Sequence, residues 1–346
     1  MRLSVLDQST IVTGRSPAES IQESLRLARH CEALGYHRYW PAEHHNSPSQ
    51  AGTAPEILMA AIAATTTRIR VGSAGVMLPH YASLKVAEQF RVLEAIAPGR
   101  IDMGLGRAPG SDGRTAYALN PTADTAADHF PSQVRDLLHW VRGEPLVEGH
   151  PFRDIRAQPA GPTAPEPWIL GSSDYGAQVA AYFGLPFCFA HFITDGNGAA
   201  EALAIYRTTF RPSPALSAPQ PALAVWAMAA DTQAEADRHF ASRALFRLRR
   251  DRGIYEALPS PEEAAAYDYT ETDRTRIAAI RARAFAGTAD HVAASLQETS
   301  DALGVEEVVV LTTLHDPAVR RRSYALLAEA ARLARHPEPA PLMAAE

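Results

Sequence analysis

The stretch IRVGSAGVMLPHYASLKVAEQFRVLEAIAPGRIDMGLGRAPGSD, residues 69–112, contains a strand, a helix and a second strand in that order. Its first part, residues 69–77, is a short apolar run with β-branched side chains, which is typical of a strand buried on both faces. Ser83 is placed to begin a helix, and Pro98 followed by Gly99 is placed to end it. The apolar run at 101–105 predicts the second strand. The stretch therefore predicts two parallel strands joined by a helix.

Two details of this unit indicate a binding site. Ser73, Ala74 and Gly75 are small residues inside a strand, where bulkier and branched side chains are preferred. Small residues at this point suggest that a flat group lies against the backbone. Arg107 follows the second strand in a loop with glycines nearby, a position that suits an anion. The alternative is a tightly packed strand and a solvated arginine.

The bulk composition is that of a globular protein with a sizeable core. Of the 346 residues, 46% are apolar and 21% are charged, and the formal net charge is -6. This charge gives no electrostatic reason to expect nucleic acid or an anionic membrane as a partner. The N-terminal residues have no apolar signal core, and no run of about 20 apolar residues could span a bilayer. Cys31 and Cys188 are expected to be buried thiols, which fits the predicted cytoplasmic location.

Eight apolar runs alternate mainly with helical patterns along the chain. Besides the two described above, they lie at 3–6, 37–41, 168–170, 185–189, 222–229 and 307–312. Alternation of this kind over this length predicts a (β/α)₈ TIM barrel with loop insertions, and a doubly wound open sheet is the alternative. No Rossmann GxGxxG motif follows the first strand.

One domain is predicted for residues 1–335. Residues 143–167 contain six prolines and predict a hairpin excursion from the barrel. Residues 252–283 are charged and lack a strand pattern. Their place before the last strand predicts a mobile lid over the barrel mouth, and a disordered linker is the alternative. Residues 336–346 predict a disordered tail.

Polar residues that follow the strands of a barrel converge at one mouth. The residues expected there are Asp7, Gln8, His44, Arg107, Ser172, Ser173 and His191. We predict that a substrate pocket is lined by Asp7, Gln8, His45, His191 and Phe192. No tight cluster of His, Cys and carboxylate residues completes a metal site, and two adjacent histidines on a strand point to opposite faces. A single histidine after a strand is better suited to act as a general acid or base, because its unperturbed pKa lies near working pH.

A second candidate anion site is Gly171-Ser172-Ser173-Asp174-Tyr175-Gly176. A strand that turns into a helix through serines offers hydroxyl groups and free backbone N–H groups, and the helix dipole favours negative charge there. A serine that merely caps a helix is the common alternative. Together with Arg107, the stretch makes a phosphate site plausible.

Three stretches in the same order resemble the bacterial luciferase-like, flavin-dependent monooxygenase family. They are GSAGVMLPHYASLKVAEQFRVLEAIAPGRIDMGLGRAPGSD at 72–112, YWPAEHHN at 39–46 and WILGSSDYGAQVAAYFGLPFCFAHFI at 168–193. The resemblance extends from Leu3 to about Asp316. It implies a (β/α)₈ barrel that uses reduced FMN as a co-substrate with O₂.

The resemblance also implies roles for individual residues. His44 is the histidine tied to oxygen chemistry. The FMN phosphate would bind Arg107 and the Ser172–Ser173 turn, and the peptide bond matching Ala74–Gly75 would be cis and bulge toward the flavin. The cofactor-binding residues that follow from it are Ala74, Gly75, Val76, Met77, Gly106, Arg107, Ser172, Ser173, Asp174 and Tyr175.

Three departures from the family pattern concern the cofactor. Gly106 stands where luciferase has a reactive cysteine, which argues against light emission with long aldehydes. Gly176 stands where many relatives have a serine or threonine. Residues 115–134 contain no lysine or arginine, whereas many relatives have a further arginine there. A phosphate contact would therefore be weaker or come from elsewhere.

The predicted function is oxygenation of a small organic substrate, of the aldehyde, ketone or aromatic class. By the resemblance, a separate NAD(P)H-dependent reductase supplies the reduced FMN, and the protein is a homodimer. One alternative is a deazaflavin-dependent enzyme that transfers hydride on the same barrel. The low number of basic residues at 115–134 mildly disfavours it, because that cofactor has an anionic tail. The other alternative is a non-catalytic flavin-binding relative.

Overall fold

Eight parallel strands close into a barrel in the computed structural model, which describes residues 1–337 except for the side chains of residues 123 and 124. The barrel order is β10-β1-β2-β3-β5-β6-β7-β8, and β8 pairs with β10 to close it. Two short strands lie outside this ring, β4 beside β5 and β9 beside β8. The strands are β1 (Arg2–Asp7), β2 (Arg38–Pro41), β3 (Arg70–Gly72), β4 (Val76–Met77), β5 (Ile101–Gly106), β6 (Glu166–Gly171), β7 (Phe187–Ala190), β8 (Pro221–Ala230), β9 (Phe285–Thr288) and β10 (Glu307–Leu311). The predicted (β/α)₈ barrel is confirmed, and the doubly wound sheet is wrong.

Helices surround the barrel and cover its mouth. They are α1 (Pro17–Leu34), α2 (Pro55–Thr65), α3 (Ser83–Ile96), α4 (Gly113–Leu119), α5 (Ala123–Ala126), α6 (Phe130–Arg142), α7 (Asp174–Phe183), α8 (His191–Thr194), α9 (Ala199–Thr209), α10 (Gln233–Asp251), α11 (Pro261–Ala265), α12 (Glu271–Ala282), α13 (Ala289–Leu303) and α14 (Pro317–Ala330), with 3-10 turns at Leu78–His80 and Ala127–His129. Local sequence sets several of these limits. Ser16 and Glu19 form a reciprocal capping box at the start of α1, and Gly35 ends the helix with φ 86°. No helix within residues 1–337 is long and apolar enough to cross a membrane.

An ion network fills the end of the barrel where the strands begin. The buried Arg38 guanidinium lies 2.8 Å from an Asp102 oxygen and 2.9 Å from a Glu307 oxygen. Trp40 and Trp168 pack edge to face above it, with ring centroids 5.2 Å apart. Buried charges and aromatic rings thus occupy this end, and a cavity opens toward the other end, where the strands finish.

The predicted strand at 69–77 is in fact two strands separated by a break. The Ala74–Gly75 peptide bond is cis, as the resemblance implies. The Ser73 hydroxyl donates to the Gly104 carbonyl oxygen at 2.8 Å, and the Ala74 N–H donates to the Pro41 carbonyl at 2.8 Å. A Cβ at Gly104 would lie 1.9 Å from the Ser73 carbonyl oxygen. The break thus depends on a neighbouring strand that has no side chain at this point.

Two segment predictions need correction. Residues 143–165 contain no strand, so the predicted hairpin within 143–167 is wrong, and β6 begins at Glu166. Prolines lack the N–H group that a hairpin ladder requires, and six of them lie in this segment. Residues 252–283 contain α11 and α12, each with a capping box, instead of irregular chain. The short strand β9 directly after this segment was not predicted.

The segment at 252–283 lies across the barrel mouth. Leu258 is fully buried, its N–H donates to the Ile11 carbonyl at 2.9 Å, and its carbonyl accepts from the Thr13 N–H at 3.0 Å. The loop that it joins follows β1 at the mouth. This position agrees with a lid, and its mobility stays a prediction. The predicted disordered tail lies outside the described residues from 338 onward, and His336 donates its N–H to the Ala33 carbonyl at 2.8 Å.

Candidate active site

A cavity of about 610 Å³ opens where the barrel strands end. Ligand sites of TIM barrels lie at this face, and the volume is within the range of small-molecule sites. Most of the predicted site residues line it. They are Gln8, His44, Ala74, Gly75, Met77, Gly106, Arg107, Ser172, Ser173, Tyr175 and Phe192.

One wall of the cavity is suited to a phosphate. The guanidinium carbon of Arg107 lies 4.0 Å from the centroid of the Tyr175 ring. Arg107 is exposed and makes no ion pair within the described part of the chain. Ser173 is the N-cap of α7, but its hydroxyl accepts no capping hydrogen bond. A charged guanidinium, an uncommitted hydroxyl and the positive end of a helix therefore meet at one place.

His44 lies in the cavity with one ring nitrogen unpaired. Its backbone N–H donates to the Gly52 carbonyl at 2.9 Å, and its Nδ1 is buried with no hydrogen-bond partner among the described residues. Burial and, next, the positive charge of Arg250 lower the pKa of His44 to about 4. The imidazole is thus neutral at pH 7, because its pKa in this site lies below the unperturbed value from which the sequence argument started. A neutral ring offers one acceptor and one donor.

Glu43 positions the backbone beneath the cavity. This carboxylate is 1% exposed. One oxygen accepts from the Tyr81 hydroxyl at 2.6 Å and lies 2.7 Å from His45 Nε2, and the other accepts from the Met77 N–H at 3.0 Å. Burial and the nearby Glu43 raise the pKa of Tyr81, which keeps this hydroxyl protonated. Sequence reasoning considered Glu43 only within a metal site; its place directly after a buried strand was the available signal.

Three predicted pocket residues do not line the cavity. His45 bonds to Glu43 on the opposite side of the loop, as expected for a neighbour of His44. Asp7 is fully buried and pairs with Arg320 at 2.8 Å. His191 lies on the outer side of the mouth, with its ring 5.7 Å from that of Phe285.

Two predicted cofactor contacts are also absent from the lining. Val76 is 4% exposed and packs in the core, because alternate residues along a strand face opposite sides. Asp174 is an exposed residue in the first turn of α7. The remaining predicted cofactor-binding residues do reach the cavity.

The sequence prediction missed a group of lining residues. Arg247, Arg250, Asp251 and Tyr255 lie at or just after the end of α10, and Gln50, Cys188, Ala190, Ile193 and Ala224 come from loops and strand ends. The arginine spacing along α10 was the available signal, but a charged amphipathic helix usually has a solvated face. In residues 1–337, no three His, Cys, Asp or Glu side chains are grouped to hold a metal ion.

Comparison with known proteins settles the family. The sequence profile described as luciferase-like monooxygenase matches residues 1–307. The chain belongs to the luciferase-like monooxygenase family. Membership makes the protein an oxidoreductase enzyme of this family, as the resemblance predicted.

Two relatives are similar over nearly their whole length. The N-acetyl-S-alkylcysteine monooxygenase of Bacillus subtilis strain 168 is 38% identical over 331 residues, which cover 95% of this chain and 98% of that protein. The crystal structure of apo-MsnO8 is 39% identical with a TM-score of 0.87, and the match covers 97% of this chain and 99% of that one.

Two more distant structures share the fold and bind different cofactors. The oxygenating constituent of the Pseudomonas putida 3,6-diketocamphane monooxygenase, in complex with FMN, has a TM-score of 0.71 at 18% identity, with 97% of this chain and 99% of that chain covered. An F420-dependent secondary alcohol dehydrogenase has a TM-score of 0.68 at 14% identity, with 96% and 99% covered. Neighbours of this fold thus bind FMN or the deazaflavin F420.

Proposed function

We propose that this luciferase-like protein is an FMN-dependent monooxygenase, which uses reduced FMN and O₂ to oxygenate a small organic substrate. One observation carries the proposal. The phosphate-suited wall of Arg107, Ser173 and Tyr175 and the neutral His44 line the same cavity, with the small residues Ala74 and Gly75 between β3 and β4. The charged wall suits the phosphate of a flavin, and the small residues leave room for its flat ring.

Different residues would bind the phosphate and the ring of the flavin. Arg107 and the hydroxyls of Ser172 and Ser173 would hold the phosphate through charge-assisted hydrogen bonds. Ala74, Gly75 and Met77 would contact the ring, and Glu43 fixes the backbone of Met77. Reduced FMN, when bound, supplies the electrons that activate O₂. The apolar lining and the segment at 252–283 would limit the entry of water.

His44 would hold or move a proton through the part of its ring that lines the cavity, since its Nδ1 is shielded from solvent. Because the ring is neutral at pH 7, it can accept or donate a hydrogen bond there without first losing a proton. Its burial disfavours the imidazolium form, so an accepted proton would pass on readily.

The substrate proposal is a small aldehyde, ketone or aromatic compound. The similarity to an N-acetyl-S-alkylcysteine monooxygenase adds thioethers to this list. We also propose that a separate NAD(P)H-dependent reductase supplies reduced FMN, since the sequence lacks a nicotinamide-binding fingerprint after the first strand. A cytoplasmic location, supported by the two free buried cysteines, and a homodimer complete the proposal.

A deazaflavin enzyme is the second candidate. The observation in its favour is the pair Arg247 and Arg250 in the cavity wall, because F420 carries an anionic tail. Such an enzyme would transfer hydride and have no need of O₂. Titration with F420 and with FMN distinguishes the two candidates, since each predicts tighter binding of a different cofactor.

The decisive experiment combines the rate at which bound reduced FMN is reoxidised by O₂ with measurements of flavin binding. Photoreduced FMN and protein are mixed with oxygenated buffer, and the return of oxidised-flavin absorbance is followed by stopped flow. The proposal expects slower reoxidation than for free FMN, and faster return in His44→Ala. In parallel, Arg107→Ala should weaken binding of FMN but leave that of riboflavin, which lacks the phosphate, unchanged. Reoxidation identical to that of free FMN, with tight F420 binding, would transfer the proposal to the deazaflavin enzyme.

A further inference from the structure

Helix α10 carries a row of three arginines beside the barrel mouth, and two of them line the cavity. Arg243, Arg247 and Arg250 follow one another at spacings of four and three residues, so they lie on one face of the helix. Arg247 and Arg250 line the cavity. Arg243 lies one turn further back, with its guanidinium carbon 3.9 Å from the centroid of the Trp226 ring. Trp226 follows the cavity-lining Ala224 by two positions on the same face of β8.

Arg243 is buried without a counter-charge. Its side chain is 8% exposed, its Nε is buried with no hydrogen-bond partner, and it makes no ion pair with any residue that the structure describes. Burial, together with the charges of Arg247 and Arg250, lowers the pKa of Arg243, and the carboxylate of Asp195, which pairs with Arg247, offsets this only in part. A guanidinium nevertheless remains protonated in proteins. The fold therefore keeps a buried positive charge that stacks on the Trp226 ring and forms no ion pair among the described residues, an arrangement that costs stability.

The charges around this row do not balance. Asp195 pairs with Arg247 at 3.1 Å. Asp251 also lines the cavity, but it pairs with Arg276 at 2.8 Å. Within residues 1–337, the three arginines of the row thus pair with a single carboxylate, which leaves a surplus of two positive charges.

The row lies on a different wall from the phosphate-suited one. Arg107 and Ser173 follow β5 and β6, whereas α10 follows β8. Arg250 is close enough to His44 to lower its pKa. Apolar side chains adjoin the row, since Phe192, Ile193 and Tyr255 line the cavity with it. A ligand bound at this wall would contact positive charge, apolar surface and His44 together.

We propose that Arg247 and Arg250 bind the anionic group of the substrate, that the buried charge of Arg243 one turn behind them strengthens this binding, and that the substrates are small organic acids whose apolar part contacts Phe192, Ile193 and Tyr255. The inference rests on the proposed function, because it takes the flavin phosphate to lie at Arg107 and Ser173. A bound carboxylate would pair with the guanidinium groups through bidentate, charge-assisted hydrogen bonds. It would also supply the counter-charge that Arg243 lacks.

A pair of probes that differ only in charge tests this inference. N-acetyl-S-benzylcysteine and its primary amide are titrated separately into the FMN-loaded protein by isothermal titration calorimetry. The acid is expected to bind about tenfold to a hundredfold more tightly than the amide. Equal affinities for the two probes, or no binding of the acid at millimolar concentration, would overturn the inference.

Substitutions on α10 test whether the preference for the acid over the amide depends on the arginine row. Arg250→Gln removes a guanidinium that lines the cavity and is expected to remove most of the difference between acid and amide, and Arg243→Gln is expected to reduce it. Arg249→Gln is the matched control, because Arg249 lies on the same helix and pairs with Glu256 at 3.0 Å outside the cavity lining; it should keep the difference. If Arg243→Gln does not fold, Arg250→Gln at the exposed rim tests the same expectation.

The melting temperature distinguishes binding from a structural role. Removal of an unpaired buried charge should preserve or raise the Tm of the ligand-free protein. If Arg243→Gln instead lowers the Tm and leaves the difference between acid and amide unchanged, Arg243 serves to pack against Trp226, and the inference fails.

Cofactor titrations separate failure of the inference from failure of the proposed function. FMN and riboflavin are titrated into the wild type and the Arg243→Gln variant. The inference expects the same ratio of the two affinities in both proteins. Weaker FMN binding with unchanged riboflavin binding in the variant would assign the row to the cofactor phosphate and overturn the inference alone. Absence of FMN binding to the wild type would refute the proposed function instead.

Discussion

The carboxylate of Glu43 accepts a hydrogen bond from the backbone N–H of Met77 at 3.0 Å. This bond joins the loop after β2 to the chain that follows the break between β3 and β4. Glu43 is almost fully buried, while Met77 lines the cavity. A residue that no substrate touches thus determines the shape of the surface beneath the proposed flavin.

Removal of this carboxylate should weaken both the fold and the site. Glu43→Leu keeps the side-chain size but leaves the Met77 N–H and the Tyr81 hydroxyl without their acceptor, so we expect a loss of about 2–4 kcal/mol in the free energy of unfolding. Glu43→Gln can still accept the hydrogen bond from the Met77 N–H. Its free energy of unfolding should therefore lie between those of the wild type and Glu43→Leu. Urea unfolding and FMN titration provide the measurements.

Glu56→Leu is the control for this substitution, because Glu56 is half-buried and accepts a long, 3.2 Å hydrogen bond from the Gln89 side chain. It should change stability much less and leave FMN affinity unchanged. Equal stability of Glu43→Leu and the wild type would refute the positioning role.

The Ser173 hydroxyl should matter for the cofactor and not for the helix. Ser173 makes no capping hydrogen bond at α7, whereas Ser16 accepts one from the Glu19 N–H at α1. Ser16→Ala is expected to cost about 1 kcal/mol of stability, and Ser173→Ala less than about 0.5 kcal/mol.

The cofactor readout of Ser173→Ala is its affinity for FMN. Loss of one phosphate hydrogen bond should weaken FMN binding by about threefold to tenfold without affecting riboflavin. An equal loss for both flavins would mean that Ser173 does not contact the phosphate.

Two glycines on β5 should differ sharply in their tolerance of a side chain. A Cβ at Gly104 would lie 1.9 Å from the Ser73 carbonyl oxygen, which is fixed backbone. A Cβ at Gly106 would meet the Met77 sulfur at 3.5 Å, the Met77 methyl carbon at 3.7 Å and the Val76 carbonyl oxygen at 3.8 Å, all ordinary van der Waals distances. Gly104→Ala should therefore cost about 3 kcal/mol or more, or prevent folding, while Gly106→Ala stays within about 1 kcal/mol. Thermal unfolding of the two variants decides the matter; similar melting temperatures would contradict the close approach.

The protonation of His44 should require acid well below neutral pH. Because burial and Arg250 disfavour the imidazolium, its pKa is about 4 instead of 6.5. Activity should then show no loss from His44 protonation between about pH 5.5 and 7, and NMR titration should give the low pKa directly. Arg250→Gln removes a nearby positive charge and should raise the pKa. An acidic loss of activity centred near pH 6.5 that His44→Gln abolishes would contradict this assignment.

The same pKa shift affects stability with a defined sign. Between pH 6.5 and about 4, the unfolded chain binds a proton at His44 that the folded protein does not bind. The wild type should therefore lose stability relative to His44→Gln as the pH falls through this window. Above pH 6.5 the difference between the two proteins should be constant. Chemical unfolding at several pH values measures it.

The sequence predicted the barrel because the information for it is local. Buried strands such as 101–105 are continuous apolar runs, and the limits of α1 depend on Ser16, Glu19 and Gly35 within the same helix. His44 and Arg107 could also be placed at the mouth, because each directly follows a strand. Strand ends converge in a barrel whatever the loops do.

The errors concern contacts between residues far apart in sequence. Asp7 follows β1 like the cavity residues, but Arg320, 313 positions later, pairs with it in the core. The role of Glu43 depends on Tyr81 and Met77, and the exposed or buried side of α10 depends on how the helix lies across the mouth. The spacing of the arginines along α10 and the place of Glu43 after a strand are visible in the sequence, but the distant partners that give these residues their roles are not.

The two backbone hydrogen bonds of Leu258 limit how the barrel can open. A segment anchored near its start to the loop after β1 cannot swing away as one rigid flap without breaking these bonds. While the bonds hold, Leu258 separates a short span that carries Tyr255 at the cavity from the longer span with α11 and α12. The two spans can then move independently, so the barrel can admit a small molecule beside Tyr255 while the rest of the segment stays in place.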